Sequence, residues 1–214
     1  MSSTVSPSRN FVKNAPATWG SIFFLVAIHL ITAIQSGSLT HNLSAPLAQS
    51  WVLYGPLLPD QPYRLLTYAF VHSGLYHLTV NCASILIFSW SLERFLGPLQ
   101  LVVTFLVTAF WAGLSISLFD AYSATVGASG AIFAILAICL GVAAKHKGNV
   151  RAIGVFLVIN VAYTFIGEGI SIWGHLGGLI IGAVLAYPLA VLGPRGRWLT
   201  LGFAALAAVA LAVY

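Results

Sequence analysis

Two short motifs in this chain carry residues that could do chemistry together. A serine stands between glycines in Gly127-Ala128-Ser129-Gly130, and a histidine stands among them in Gly174-His175-Leu176-Gly177-Gly178. A serine hydroxyl is a weak nucleophile until a neighbouring base takes its proton, and histidine is the usual base. His77 and Asn81 are spaced i,i+4, which puts both on one face of a helix. Both can donate hydrogen bonds. Acyl transfer needs donors preorganised around the developing oxyanion, each worth about 3–4 kcal/mol where measured. The set therefore reads as a Ser129–His175 dyad, with His77, Asn81 and the backbone N–H of Ser129 as oxyanion donors. No aspartate or glutamate falls in the same layer. The imidazole is expected to be oriented by packing, against Phe133 four residues after the serine, rather than by a third carboxylate.

Each part has an ordinary explanation. A Gly-x-Ser-Gly in a membrane helix is usually a packing motif, a lone histidine in a span is usually structural, and a His–Asn pair can simply tie helices together. What those explanations leave over is a shared depth, which depends on the elements that hold the four side chains.

Those elements are set by composition. The 214 residues are 59% hydrophobic and 6% charged, with a mean hydropathy of +0.96. A soluble domain carries about 25% charged residues, so lipid is the solvent for most of this surface. A membrane helix needs about 20 predominantly apolar residues. Seven stretches qualify or nearly do: 19–35, 75–93, 98–119, 126–144, 150–167, 171–192 and 197–214, of which the fourth, fifth and seventh are short. Continuous apolarity excludes barrel strands, which alternate over about ten residues. The fold class is all-α, a polytopic helical bundle.

Basic residues orient it. With the N-terminus inside, Arg9, Lys13, Arg94, Lys145, Lys147, Arg151, Arg195 and Arg197 are cytoplasmic and only Arg64 is outside. Asp60, Asp120 and Glu168 also fall outside. Arg9 and Lys13 before an apolar run resemble a signal peptide, but an uncleaved first helix keeps the same alternation, with His29 packed or interfacial within it. The net charge of +5 comes from residues scattered among segment ends, which is no nucleic-acid signature. Cys82 and Cys139 lie inside apolar segments and read as small buried hydrophobes. No metal or cofactor is expected.

The one long connection, 36–74, is itself apolar, with Leu53, Tyr54, Leu57, Leu65 and Phe70 among its residues. Irregular backbone at membrane depth must be shielded by protein, so it should dip into the outer leaflet or pack on the bundle. The second, fourth and sixth spans all run inward. Ser129 and His175 then lie three to five residues past the outer ends, roughly 5–8 Å deep at 1.5 Å per residue, level with His77 and Asn81. Gly174, Gly178 and Gly182 form a flat stripe on the sixth span, and Gly127, Gly130 and Ala134 form a small surface on the fourth. Docking these two surfaces would bring Ser129 to His175.

In these motifs, from about Tyr63 to Gly182, the chain resembles the rhomboid intramembrane serine proteases. The resemblance implies that Ser129 is the nucleophile, His175 the base, and His77 and Asn81 the oxyanion donors. It also implies close-packing roles for Gly178 and Gly182. Tyr63-Arg64 resembles an aromatic-Arg pair of the first loop, His72 a structural loop histidine, and Glu93 and Gly97 a Glu-x-x-x-Gly at the inner end of the second helix. Phe133 stands where tyrosine is frequent and Gly174 where alanine is common; neither change removes a reacting group.

The expected organisation is a cytoplasmic tail at 1–18, a rhomboid-like six-helix core at 19–193 and an additional C-terminal transmembrane helix at 194–214. The resemblance implies an endopeptidase that cleaves single-span membrane proteins in or beside their transmembrane helix; the compact length and Ala/Leu-rich spans point to a bacterial plasma membrane. The alternative is an inactive rhomboid-like protein that binds client helices. A transporter would place ionisable residues at the bilayer midplane, where the spans have none. Oligomeric state is left open.

Overall fold

The computed structural model describes residues 15–167 and 169–213. Arg9, Lys13, Glu168, Tyr214 and all but the end of the 1–18 tail lie outside the described residues. In lipid every backbone polar group must be satisfied within the protein, and the apolar runs meet that demand as helices. Seven long ones follow in order: α1 (Pro16–Ser36), α2 (Leu75–Leu96), α3 (Pro98–Phe119), α4 (Ser129–Lys145), α5 (Val150–Ile166), α6 (Ile172–Val191) and α7 (Pro194–Val213). Proline opens α1, α3 and α7, at the position where its missing N–H costs nothing. Gly37, at φ 71°, closes α1 in the left-handed conformation. A single π turn at Ile85–Ser89 interrupts α2. Among the described residues five helices, α1, α2, α3, α6 and α7, are long and apolar enough to cross a membrane, and α4 and α5 are shorter apolar helices of 17 residues. The protein is an all-α, multi-pass membrane bundle.

The first helix starts three residues before the expected span and the second ends three residues after it; two further differences matter more. The fourth span was expected from 126, but α4 begins at Ser129. The residues before it are held in another pattern. Thr125 exchanges two backbone hydrogen bonds with Leu53, at 2.9 and 3.0 Å, and Gly127 N–H donates to Tyr68 O at 2.9 Å. Gly127 takes φ 119°, which a residue with a side chain rarely adopts. Ser129 therefore stands on the first residue of its helix rather than a turn inside it, and its depth cannot be counted as helical rise from 126. The seventh span was expected from 197, and short. Proline at 194 starts α7 three residues earlier, so Arg195 and Arg197 belong to its first turn and not to a connecting loop.

α4 is the centre of the bundle. Ten consecutive residues, Gly130–Cys139, are buried, as expected for a helix that is apolar all round. It packs most extensively against α6. Gly178 of α6 lies directly against the Gly130 carbonyl, and a Cβ at Gly182 would come within 2.5 Å of the Ala134 backbone. Without a hydrophobic force between helices in lipid, such close backbone approach is what binds them. Outward-facing Phe23 and Ile34 on α1, Val158 and Ile166 on α5, and Phe203 and Leu206 on α7 are exposed and form the lipid-facing girdle.

The connection between α1 and α2 packs on the bundle. Leu53, Leu65, Tyr68 and Val71 are buried, and the Tyr68 hydroxyl donates to Ala109 O of α3 at 3.0 Å. His29 is buried against the base of this connection, bonded to Leu39 O and to Asn42. Arg64 holds the loop's shape. The residue is 4% exposed, and its guanidinium donates to Gln49 O at 2.8 Å, Val52 O at 2.6 Å and Gln61 Oε1 at 2.7 Å. Arg64→Ala removes the donor from two part-buried carbonyls. It should cost about 2 kcal/mol or more of stability, read as a lowered unfolding midpoint in detergent, with the dyad geometry retained in the folded fraction.

At the opposite end Glu93 caps α1 from a distance of some 75 residues. Its carboxylate accepts from Ala17 N–H at 2.9 Å, Thr18 N–H at 2.8 Å and the Thr18 hydroxyl at 2.7 Å. Ala15 at the helix's own N-cap supplies no side-chain bond, so these orphan donors depend on α2. Arg197 closes the same end, donating to Leu189 O at 2.9 Å and Phe95 O at 3.0 Å while lying 4.1 Å over the Phe95 ring.

Candidate active site

Ser129 Oγ lies 2.7 Å from His175 Nε2. The approach follows from the packing of small residues just described. With glycine at 130 and at 178, α4 and α6 meet backbone to backbone, and the first residue of one helix faces the first turn of the other. The His175 ring stacks on Phe133, with centroids 4.2 Å apart and planes at 21°. Phe133 is one turn along from Ser129 and is buried, so the ring that flanks the imidazole is fixed by the helix that carries the hydroxyl.

Ser129 opens α4, so its backbone N–H has no carbonyl one turn earlier to bond. The helix dipole adds a partial positive charge at the same place. His77 and Asn81 stand on the first turns of α2. The Nδ1 of His77 faces Ser73, 3.0 Å from its hydroxyl and 3.4 Å from its backbone N–H, which donates to it. A ring nitrogen that accepts from an amide carries no proton, so the hydrogen of neutral His77 sits on Nε2. That atom is against Gly127: a Cβ there would fall 2.7 Å from it. Gly127 is thus required twice, for its backbone angle and for the space beside His77. Asn81 is 3% exposed and donates one amide hydrogen to His77 O at 2.8 Å within its own helix. Its second amide hydrogen remains for another acceptor.

His72, in the loop, packs edge-on to His77 with ring centroids 5.0 Å apart. Burial, and then the charge that His77 and His29 would carry, push His72 down to about 3, so it is a neutral support beneath His77. Arg64 and Glu93 serve the loop and the N-terminal end of α1 respectively. Cys82 and Cys139 are free thiols.

One contact was missed in the sequence. Thr164 of α5 places its Oγ1 2.8 Å from His175 Nδ1. A threonine inside an apolar run ordinarily bonds back to its own helix, and Thr164 does so too, at Asn160 O. Nothing in its sequence context separates the two roles.

With this geometry in place, likeness to known proteins becomes informative. The Rhomboid domain model matches residues 59–191, well over half of the chain. The chain belongs to the rhomboid family. Among similar proteins, Rhomboid protease GluP of Bacillus subtilis is 34% identical over 208 residues, 94% of this chain and 40% of that protein. Rhomboid protease GlpG of Serratia proteamaculans is 28% identical over 183 residues, 82% of this chain and 63% of that protein. Inactive rhomboid protein 2 of Homo sapiens is 31% identical over 137 residues, 59% of this chain and 16% of that protein. The chain spans less than two thirds of the length of each of these relatives. Rhomboid relatives thus include proteases and an inactive member, and the family alone supports either role.

Proposed function

We propose that this rhomboid-family chain is an intramembrane serine endopeptidase that works through a Ser129–His175 dyad. The observation that carries the proposal is the 2.7 Å contact between Ser129 Oγ and His175 Nε2, side chains of two different helices. His175 takes the hydroxyl proton as Ser129 Oγ attacks the scissile carbonyl. The oxyanion is met by the Ser129 N–H, His77 Nε2–H and the free amide hydrogen of Asn81. As the C–N bond breaks, His175 returns the proton to the leaving amine. Water then repeats the cycle on the acyl-enzyme and frees Ser129.

A peptide carbonyl inside an intact helix is already bonded to an N–H one turn on. Substrates should therefore be single-span membrane proteins whose helix unwinds easily, with small residues at the cleaved bond. We place residues 19–193 as the catalytic core and 194–214 as an added transmembrane helix. The distribution of basic residues favours a cytoplasmic N-terminus, which puts the dyad near the outer face, where water can reach it. Likeness to bacterial relatives favours a bacterial plasma membrane.

The second reading, an inactive client-binding relative, draws on the likeness to inactive rhomboid protein 2. A serine and histidine held at hydrogen-bond distance weigh against it. A mechanism-based serine probe decides between the two. It should label the wild-type protein, with the modified peptide containing Ser129. Absence of labelling in a protein that is folded and helical would favour the binding role.

A further inference from the structure

We infer that Thr164 of α5 is a positioning residue that holds His175 in the tautomer able to accept the Ser129 proton; the inference rests on the dyad reading above. Thr164 is the single buried residue of α5, at 2% exposure, on a helix whose other side chains are partly or fully exposed. Its hydroxyl lies 2.8 Å from His175 Nδ1 and 2.9 Å from Asn160 O. The stacked Phe133 ring fixes the plane of the imidazole but cannot tell one ring nitrogen from the other.

Counting hydrogens separates the two tautomers. Three movable hydrogens are present: one on Ser129 Oγ, one on the neutral imidazole and one on Thr164 Oγ1. With the ring hydrogen on Nδ1, the Thr164 hydroxyl donates to Asn160 O and accepts from Nδ1–H, and Ser129 donates to the lone pair of Nε2. All three hydrogens then have acceptors. With the ring hydrogen on Nε2, Thr164 must donate to Nδ1 and Ser129 must accept from Nε2–H. The Ser129 hydrogen then has no acceptor among the described residues, where His175 is the hydroxyl's one side-chain partner. Ser129 is part-buried and would have to turn that hydrogen out of the dyad towards solvent, whereas the first arrangement pairs all three hydrogens within the protein and is favoured. It is also the productive one, because a base must present a lone pair to the proton it removes. The backbone carbonyl of Asn160 thus fixes the direction of a short relay, Ser129 to His175 to Thr164 to Asn160 O. A neutral hydroxyl fills the place at Nδ1 where a carboxylate stands in the Ser-His-Asp arrangement.

The test pairs Thr164→Val, which keeps the shape and removes the hydroxyl, with Thr164→Ser, which keeps the hydroxyl. In protein carrying 15N-labelled histidine, the ring resonances of His175, assigned by their loss in His175→Ala, should report hydrogen on Nδ1 for wild type and Thr164→Ser. Thr164→Val should lose that preference. Against a reporter helix, Thr164→Val should lower kcat by about tenfold, the worth of one neutral hydrogen bond, with KM unchanged. Thr164→Ser should recover the wild-type value, which a role in packing alone would not produce. An unchanged His175 tautomer in Thr164→Val, or a Thr164→Ser variant as slow as Thr164→Val, overturns the inference. The resonances are read without turnover, so a protein that never cleaves would sink the protease reading while leaving the tautomer measurement to stand or fall alone.

Discussion

Purified Ser129→Ala should fold as the wild type does and cleave a reporter helix at least about a thousandfold more slowly, as removal of a catalytic serine does elsewhere. The substitution deletes one oxygen at the first residue of α4. Among the described residues that oxygen bonds to the side chain of His175 alone, and alanine is at least as good a helix former as serine. The contacts that hold α4 in the bundle lie deeper, along Gly130–Cys139, and are untouched. Stability and activity should therefore separate: an unfolding midpoint within error of wild type, beside lost turnover. His175→Ala should fall as far, and the double variant no further, because the two groups act as a unit. The measurement is the rate of fragment appearance in detergent or vesicles. A Ser129→Ala protein that cleaves at the wild-type rate rules out the dyad.

Gly178→Val should do the opposite and lose stability first. An added side chain at Gly178 runs into the Gly130 carbonyl, and Gly182 one turn on is also crowded, by the Ala134 backbone. Backbone cannot swing aside as a flexible side chain can. The helices must separate along the whole α4–α6 contact, at a cost of about 3 kcal/mol or more. Because this contact also sets the Ser129–His175 distance, turnover should fall with stability rather than independently of it. Gly154 on α5 provides the control, since a Cβ there meets nothing within 4 Å. Gly154→Val should leave both the unfolding midpoint in a detergent titration and the cleavage rate near wild type. Equal midpoints for the two variants would show that the glycine stripe does not bind α4 to α6.

The sequence exposes whatever the bilayer itself enforces. Seven apolar stretches were visible because lipid demands them, and the glycine stripe was visible because close helix approach demands small residues at fourfold spacing. Ser129 and His175 stood out as polar groups with no reason to be in lipid. What the sequence hid was decided by distant partners. Val126, Gly127 and Ala128 look like helix, yet Leu53 and Tyr68, more than fifty residues earlier, claim the backbone around them and delay α4 to Ser129. Thr164 is one of several threonines that bond back to their own helix; Thr104 and Thr108 do the same and touch no histidine. Only the placement of α5 against α6 distinguishes it. Glu93 could be read as lying near an inner helix end, but not as the acceptor for Ala17 and Thr18.

That last arrangement bears on how the molecule is made. A ribosome delivers Ala17 and Thr18 to the membrane long before it has joined residue 93 to the chain. Until then the leading segment has exposed amide hydrogens that only headgroups or water can satisfy, and nothing fixes its tilt or rotation. Insertion of the second hairpin arm brings the carboxylate that locks it. Of these two rods the earlier is thus made before the group that caps it, and is seated only once the later one is in place.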